Sequence, residues 1–153
     1  FSLYKQGMAQ EERIEGLIPV TREEAALLLE AGYVYLEMRK FEEALQVFEG
    51  VAALLPKSES PRIALGNFWF SQGDNRRALI EHRAAQKLAP QSGVAHAHAG
   101  EVLFFLGKTK EALAECQKAQ KLDPDGAGGR FAKALLDAHA SGVLPPAKAG
   151  AAK

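Results

Sequence analysis

The residues that could perform chemistry are few, and their spacing argues against an active site. The chain has four histidines and one cysteine. His96 and His98 stand two positions apart, so on a helix they face different directions, whereas a helical metal-binding pair stands four apart. Cys116 could act as a nucleophile only beside a base in an electropositive setting, and the sequence indicates neither. His82 and Cys116 stand 34 residues apart, at equivalent inward positions of the repeat described below, and both are predicted as core. We therefore expect no metal, no cofactor and no enzyme.

The charged clusters have an equally simple interpretation. Carboxylate pairs such as Glu42-Glu43 stand in the first turns of predicted helices, where they complement the helix dipole. Basic residues such as Arg76, Arg77 and Lys108 alternate with acids and have no neighbouring exposed aromatic residues for base stacking. The carboxylate pairs therefore imply no acid–base pair, and we interpret the basic clusters as solvated faces rather than a nucleic-acid site.

Composition narrows the class further. The 19 basic and 19 acidic side chains cancel, so no overall field favours nucleic acid or an anionic membrane. A single cysteine cannot form an internal disulfide, which fits a reducing compartment. No apolar run approaches the roughly 20 residues that span a bilayer, and the start has no signal-peptide pattern. We expect a cytoplasmic protein with no direct membrane insertion.

A period of 34 residues organises the helices that must carry any binding surface. Three blocks between Ala25 and Pro124 overlay at this offset, and each block contributes one glycine, one alanine and one proline in the same phase. The aligned residues are Gly32, Gly66 and Gly100; Ala44, Ala78 and Ala112; and Pro56, Pro90 and Pro124. A fixed period of this length indicates a repeat of paired helices. The sequence therefore predicts an all-α protein.

This pattern resembles the tetratricopeptide repeat, whose units of 34 residues carry glycine, alanine and proline in such positions. The resemblance implies a right-handed α-solenoid of three helix-turn-helix repeats with a C-terminal capping helix. The expected organisation is an expression-tag remnant (residues 1–7), a leader or short helix (8–24), three repeats (25–58, 59–92 and 93–126), a capping helix (127–142) and a flexible tail (143–153).

Two local signals bear on the leader. Apolar residues at helical spacing between Ala9 and Ile18 predict one or two turns of helix. After Pro19, Thr21 and Glu24 form a capping-box pattern, which predicts that the first long helix begins near Arg22.

The resemblance also assigns a binding surface, because the first helices of tetratricopeptide repeats line a concave groove. The groove residues that it implies are Leu29, Tyr33, Leu36, Ile63, Asn67, Phe70, Ala97, Glu101, Phe104 and Phe105. None of them carries a positive charge. Members that grip a chaperone's C-terminal carboxylate use Lys, Arg and Asn on these faces, and only Asn67 stands here.

An apolar partner therefore fits the groove better than a carboxylate terminus, since a lone Asn cannot neutralise a charge. We expect a protein or peptide with a hydrophobic segment, anchored on Tyr33, Phe70 and Phe104. The alternative is that several of these aromatic residues are core. Phe104 and Phe105 are adjacent, so they cannot both be core on one face.

A narrower resemblance lies in the third repeat. The run from His98 to Gly107 is similar to the His-Ala-Ala-Glu-x-Leu-x-x-x-Gly run of the three-repeat class II chaperones of type III secretion systems. Those are small cytoplasmic proteins that shield hydrophobic translocators, and many form homodimers through the N-terminal region. The resemblance implies a groove-bound translocator segment and a possible homodimer.

Two other functions remain open. The chain could be a scaffold or adaptor that joins proteins through its convex face or its ends. It could also be a self-assembling structural subunit whose groove is filled by its own tail or by a neighbouring copy.

Overall fold

The structure is a computed structural model that describes residues 13–14 and 16–147. Within these residues it contains one two-stranded sheet and seven helices, none of them long and apolar enough to cross a bilayer. The elements are β1 (Arg13–Ile14), β2 (Val20–Thr21), α1 (Arg22–Glu37), α2 (Phe41–Leu54), α3 (Ser60–Ser71), α4 (Asn75–Leu88), α5 (Gly93–Phe105), α6 (Thr109–Leu122) and α7 (Ala127–Ala140). The predicted tag remnant and residues 148–153 of the predicted tail lie outside the described residues.

The helix predicted between Ala9 and Ile18 is wrong for the residues that the structure describes there. Arg13 pairs with Thr21 and Ile14 with Val20 in an antiparallel ladder. The β-branched residues favour extended backbone, and Pro19 lacks the N–H that a continuing helix needs. Between the strands, the Leu17 amide donates to the Leu54 carbonyl over 2.9 Å, which ties the hairpin to the end of α2.

The first helix begins where its capping signal predicts. The Thr21 hydroxyl accepts a hydrogen bond from the Glu24 amide over 3.1 Å, and the Glu24 carboxylate accepts one from the Thr21 amide over 2.8 Å. Two amides that the helix would otherwise leave unpaired are thereby satisfied.

We expect Thr21→Ala to lower the free energy of unfolding by about 1 kcal/mol, since it removes the side-chain half of this cap. Urea denaturation followed by circular dichroism measures the change. Thr21→Ser keeps the hydroxyl and should restore most of the loss. An equal loss in both variants would contradict a role for the hydroxyl.

The two helices of each repeat approach each other most closely at a glycine in the first helix. A Cβ on that glycine would collide with one buried side chain of the second helix, so the two backbones approach only because the glycine has none. The three facing pairs are Gly32 with Phe48, Gly66 with His82, and Gly100 with Cys116. The same crossing therefore recurs in α1/α2, α3/α4 and α5/α6, which confirms the predicted all-α solenoid.

The turns inside the repeats share one backbone conformation. Gly73 and Gly107 have φ values of +79° and +75°, and Arg39 stands at the equivalent place in the first repeat with φ 60°. Glycine adopts this left-handed region freely, whereas arginine does so at a cost. The first repeat keeps the turn without its usual residue.

The two ends of the described solenoid present different surfaces. The last helix, α7, packs on α5 and α6 and presents Arg130, Lys133 and Asp137 to solvent. At the other end, α1 exposes Leu27 (65%), Val34 (48%) and Ala31. Their equivalents in the next two repeats are buried: Pro61, Leu65 and Phe68, then Ala95, Ala99 and Val102. The exposed face of α1 is thus the face that in later repeats packs on a preceding helix pair.

Candidate functional site

The first helices of the repeats lie side by side, and a hydrogen bond joins two equivalent positions across them. The Asn67 side-chain amide in α3 donates to the Tyr33 hydroxyl in α1 over 3.0 Å, and both side chains are half-buried. Burial raises the pKa of Tyr33, and the hydrogen bond from Asn67 opposes only part of that rise. Asn67 therefore links two neighbouring repeats through one of its amide hydrogens.

An aromatic contact continues this surface from α3 to α5. The rings of Phe70 and Phe105 meet edge to face, with centroids 4.8 Å apart and planes at 85°. Phe70 is half-buried and Phe105 is 42% exposed. Leu36 and Ile63 are also half-buried. We call Tyr33, Leu36, Ile63, Phe70 and Phe105 the aromatic ledge.

The contact between Phe70 and Phe105 could have been found from the repeat alignment, although the predicted list of groove residues does not indicate it. Phe70 is the twelfth residue of its repeat and Phe105 the thirteenth of the next, so the two stand one period plus one residue apart. Side chains with this offset meet where consecutive first helices pack. The Tyr33 and Asn67 pair stands one period apart.

Three predicted groove residues are buried, which corrects the expected site. Phe104 and Ala97 are fully buried, and Leu29 is only 7% exposed. The Phe104 ring stacks on His139 of α7, with centroids 5.4 Å apart and planes at 28°. The prediction of Phe104 as an anchor is wrong, because α7 covers the part of α5 where a ligand would have to sit.

Glu101 keeps a half-buried place beside His98. The two side chains approach to 3.8 Å between Glu101 Oε1 and His98 Nδ1. The His98 ring lies between His82, at a centroid distance of 5.3 Å, and Phe131 of α7, at 4.9 Å. The sequence placed His98 in the run that resembles the secretion chaperones and excluded it as a metal ligand, but it did not indicate that His98 joins the third repeat to both neighbours. No sequence signal available here marks that role, since it depends on where α7 packs.

The buried positions opposite the repeat glycines carry His82 and Cys116, and both are core as predicted. Burial, reinforced by the nearby His98, lowers the pKa of His82 to about 3. Neither ring nitrogen of His82 has a hydrogen-bond partner among the described residues. Burial, with the charges of Glu115 and Glu101, raises the pKa of the Cys116 thiol to about 12. A neutral imidazole and a protonated thiol suit packing rather than catalysis.

His96 belongs to a polar cluster that joins α4, α5 and α6. Its Nδ1 lies 2.6 Å from Glu115 Oε2, and its Nε2 lies 2.9 Å from the Pro90 carbonyl oxygen. Arg83 donates to Glu115 Oε1 over 2.5 Å, and Gln86 donates to Oε2 over 2.8 Å. Burial alone would raise the pKa of Glu115, but the hydrogen bonds and charges of His96 and Arg83 outweigh it and lower that pKa. Within the described residues, no group of three possible ligands forms a metal site.

Comparisons with known proteins support the helical repeats described above. Tetratricopeptide repeat families match residues 26–58 and 94–125, which cover the first and third repeats. No curated protein sequence matches the chain significantly.

Solved structures with similar folds include three that hold peptides. The type III secretion chaperone SycD of Yersinia enterocolitica, in complex with a peptide of the translocator YopD, is 18% identical with a TM-score of 0.65, over 80% of this chain and 96% of that one. PcrH with the chaperone binding region of PopB is 18% identical with a TM-score of 0.64, over 78% and 96%. The first repeat domain of Spaghetti (RPAP3), bound to an HSP90 peptide, is 20% identical with a TM-score of 0.61, over 76% and 97%. The chain contains tetratricopeptide repeats, and its fold resembles that of the type III secretion translocator chaperones.

Proposed function

We propose that the chain binds an apolar peptide segment along its concave face, as a non-catalytic cytoplasmic chaperone for a hydrophobic translocator of a bacterial type III secretion system. The observation that carries the proposal is the aromatic ledge. Phe105 keeps 42% of its surface exposed while its ring packs edge to face on Phe70. A ring that is fixed in place and still open to solvent offers contact area at little ordering cost.

The polar groups of the concave face support an apolar ligand over a carboxylate terminus. Asn67 is engaged with Tyr33, and Glu101 contributes a negative charge at the far end. None of the groove positions carries a cation to neutralise a terminal carboxylate. The HSP90 peptide held by one structure of similar fold is therefore the less suitable occupant for this chain.

Binding would act by covering apolar surface. Each Å² of apolar area removed from water contributes about 25 cal/mol, and the same burial protects the segment from aggregation. The Tyr33 and Asn67 hydrogen bond and the Phe70 and Phe105 contact cross between repeats, so the solenoid is ordered before the peptide arrives. The ordering cost then falls mainly on the peptide.

We expect Tyr33→Ala combined with Phe70→Ala to weaken the affinity for apolar peptides by about tenfold or more, since two anchors of the aromatic ledge are lost. Isothermal titration with translocator segments of the kind bound by SycD and PcrH measures this. Ile80→Ala removes an exposed apolar side chain elsewhere and should leave the affinity unchanged.

Tyr33 also packs on Phe48, with ring centroids 5.0 Å apart, so circular dichroism must establish that the double variant is folded. Phe70→Ala alone leaves that contact intact and should still weaken binding. Unchanged affinity in both variants, for these segments and for every partner recovered by pull-down, would refute the groove.

A further inference from the structure

The convex side carries a second surface that the concave groove does not involve. Between α4 and the turn after α5 lies a furrow of about 790 Å³. We call it the convex furrow, and its lining residues are Arg76, Leu79, Ile80, Arg83, Ala84, Lys87, Leu106 and Lys108. A smaller hollow of about 430 Å³ shares Arg76 and Leu106 and extends the furrow along the α3–α4 turn.

The floor of the convex furrow is apolar and open. Leu79, Ile80, Ala84 and Leu106 form it, and Ile80 is 66% exposed. The lining residues on α4 recur at intervals of three and four, so they form one stripe that runs about 16 Å along the helix. That length suits about three turns of a helix laid alongside.

The rim of the convex furrow is positive. Arg83 forms an ion pair with Glu115, and its Nη2 lies 3.9 Å from Glu111 Oε2. Arg83 therefore links α4 to α6 along one side of the furrow, and its charge is already neutralised. The structure gives Arg76, Lys87 and Lys108 no acidic partner among the described residues, and Lys87 and Lys108 are exposed. Three cations thus surround an apolar floor in a chain whose total charge is zero.

The repeat period supplies an internal comparison. One period earlier, the positions of Arg76, Arg83 and Lys108 are occupied by Glu42, Glu49 and Asp74. The same place in the solenoid is therefore acidic between the first and second repeats and basic between the second and third. Packing of the second repeat on the first proceeds without positive charge at these positions, so the fold itself does not demand the cations of this furrow.

We propose that the convex furrow binds an acidic amphipathic helix of a partner protein, distinct from the segment in the concave groove. Apolar side chains of that helix lie on Ile80 and Leu106, and its carboxylates face Arg76, Lys87 and Lys108. Charge complementarity selects the sign of the partner, and the apolar floor favours protein over nucleic acid, since no aromatic ring lines the furrow for base stacking.

The test uses fluorescence anisotropy with three labelled probes: a helical peptide of glutamate with leucine at every third or fourth position, its counterpart with lysine in place of glutamate, and a single-stranded DNA oligonucleotide. We expect saturable binding of the glutamate peptide, weakened about tenfold by Arg76→Glu with Lys87→Glu and, separately, by Ile80→Asp. Both sites are on the surface, and circular dichroism checks the fold.

The matched control is Lys118→Glu with Lys121→Glu, which changes the net charge equally on the exposed face of α6. This pair should leave binding of the glutamate peptide unchanged. Equal weakening by the control pair, unaltered binding in Ile80→Asp, no saturable binding of the glutamate peptide, or binding of the lysine peptide or the DNA at similar affinity would each overturn the proposal. Tyr33→Ala with Phe70→Ala should not alter this binding, so failure here is distinguishable from failure of the concave groove.

Discussion

Replacing Phe104 by alanine should lower the free energy of unfolding by about 3–5 kcal/mol, whereas the same change at its neighbour Phe105 should cost about 1 kcal/mol. Phe104 is fully buried and stacked on His139, so its removal leaves a cavity under α7. Phe105 is 42% exposed and loses chiefly its edge contact with Phe70. Urea denaturation of the two variants and the unaltered chain measures both values.

The same two variants should rank in the opposite order for binding. Phe105→Ala removes part of the aromatic ledge and should weaken apolar peptides by about fivefold, whereas folded Phe104→Ala should bind nearly as the unaltered chain does. Hydrogen exchange should place the loss of protection in Phe104→Ala chiefly in α7 and α5. Similar unfolding costs at both positions would contradict the burial of Phe104 beneath α7.

The second large effect is a loss of stability in acid caused by His82. Its pKa of about 3 in the folded chain lies well below the ordinary value of 6.5, so below pH 6.5 the unfolded chain takes up a proton that the folded chain does not. Stability is therefore retained above pH 6.5 and falls as the pH drops from there towards 3. The linkage relation gives a loss of about 2 kcal/mol between pH 7.5 and pH 5.

His82→Phe is the matched variant, because the first repeat already places Phe48 against the equivalent glycine. Urea denaturation at several pH values should show that the variant lacks this loss. The lowered pKa of Glu115 also makes stability fall in acid, but both proteins share that contribution and it cancels in the difference. A difference between the two proteins that does not change with pH would show that His82 is accessible to protons in the folded chain.

The features predicted well from the sequence are those that repeat or act locally. The glycine crossings recur at one period, and the Thr21 cap needs only residues within one turn of helix. Phe104 could not be placed in this way, because its burial depends on α7, which lies outside the three periodic blocks. The β1–β2 hairpin was missed since its apolar residues fit helical spacing as well as an extended chain. The convex furrow depends on side chains from two repeats, so no single repeat indicates it.

The unlike ends of the solenoid limit the symmetry of any assembly built through them. An open-ended filament needs each copy to offer two different complementary surfaces, one at each end. Among the described residues, the α1 end exposes Leu27, Ala31 and Val34, whereas α7 presents charged side chains to solvent. Two copies that meet through α1 would be related by a two-fold axis, and the apolar face of α1 would be buried in both copies. A contact of this kind buries the α1 face of both copies, so it does not by itself extend into a chain of copies.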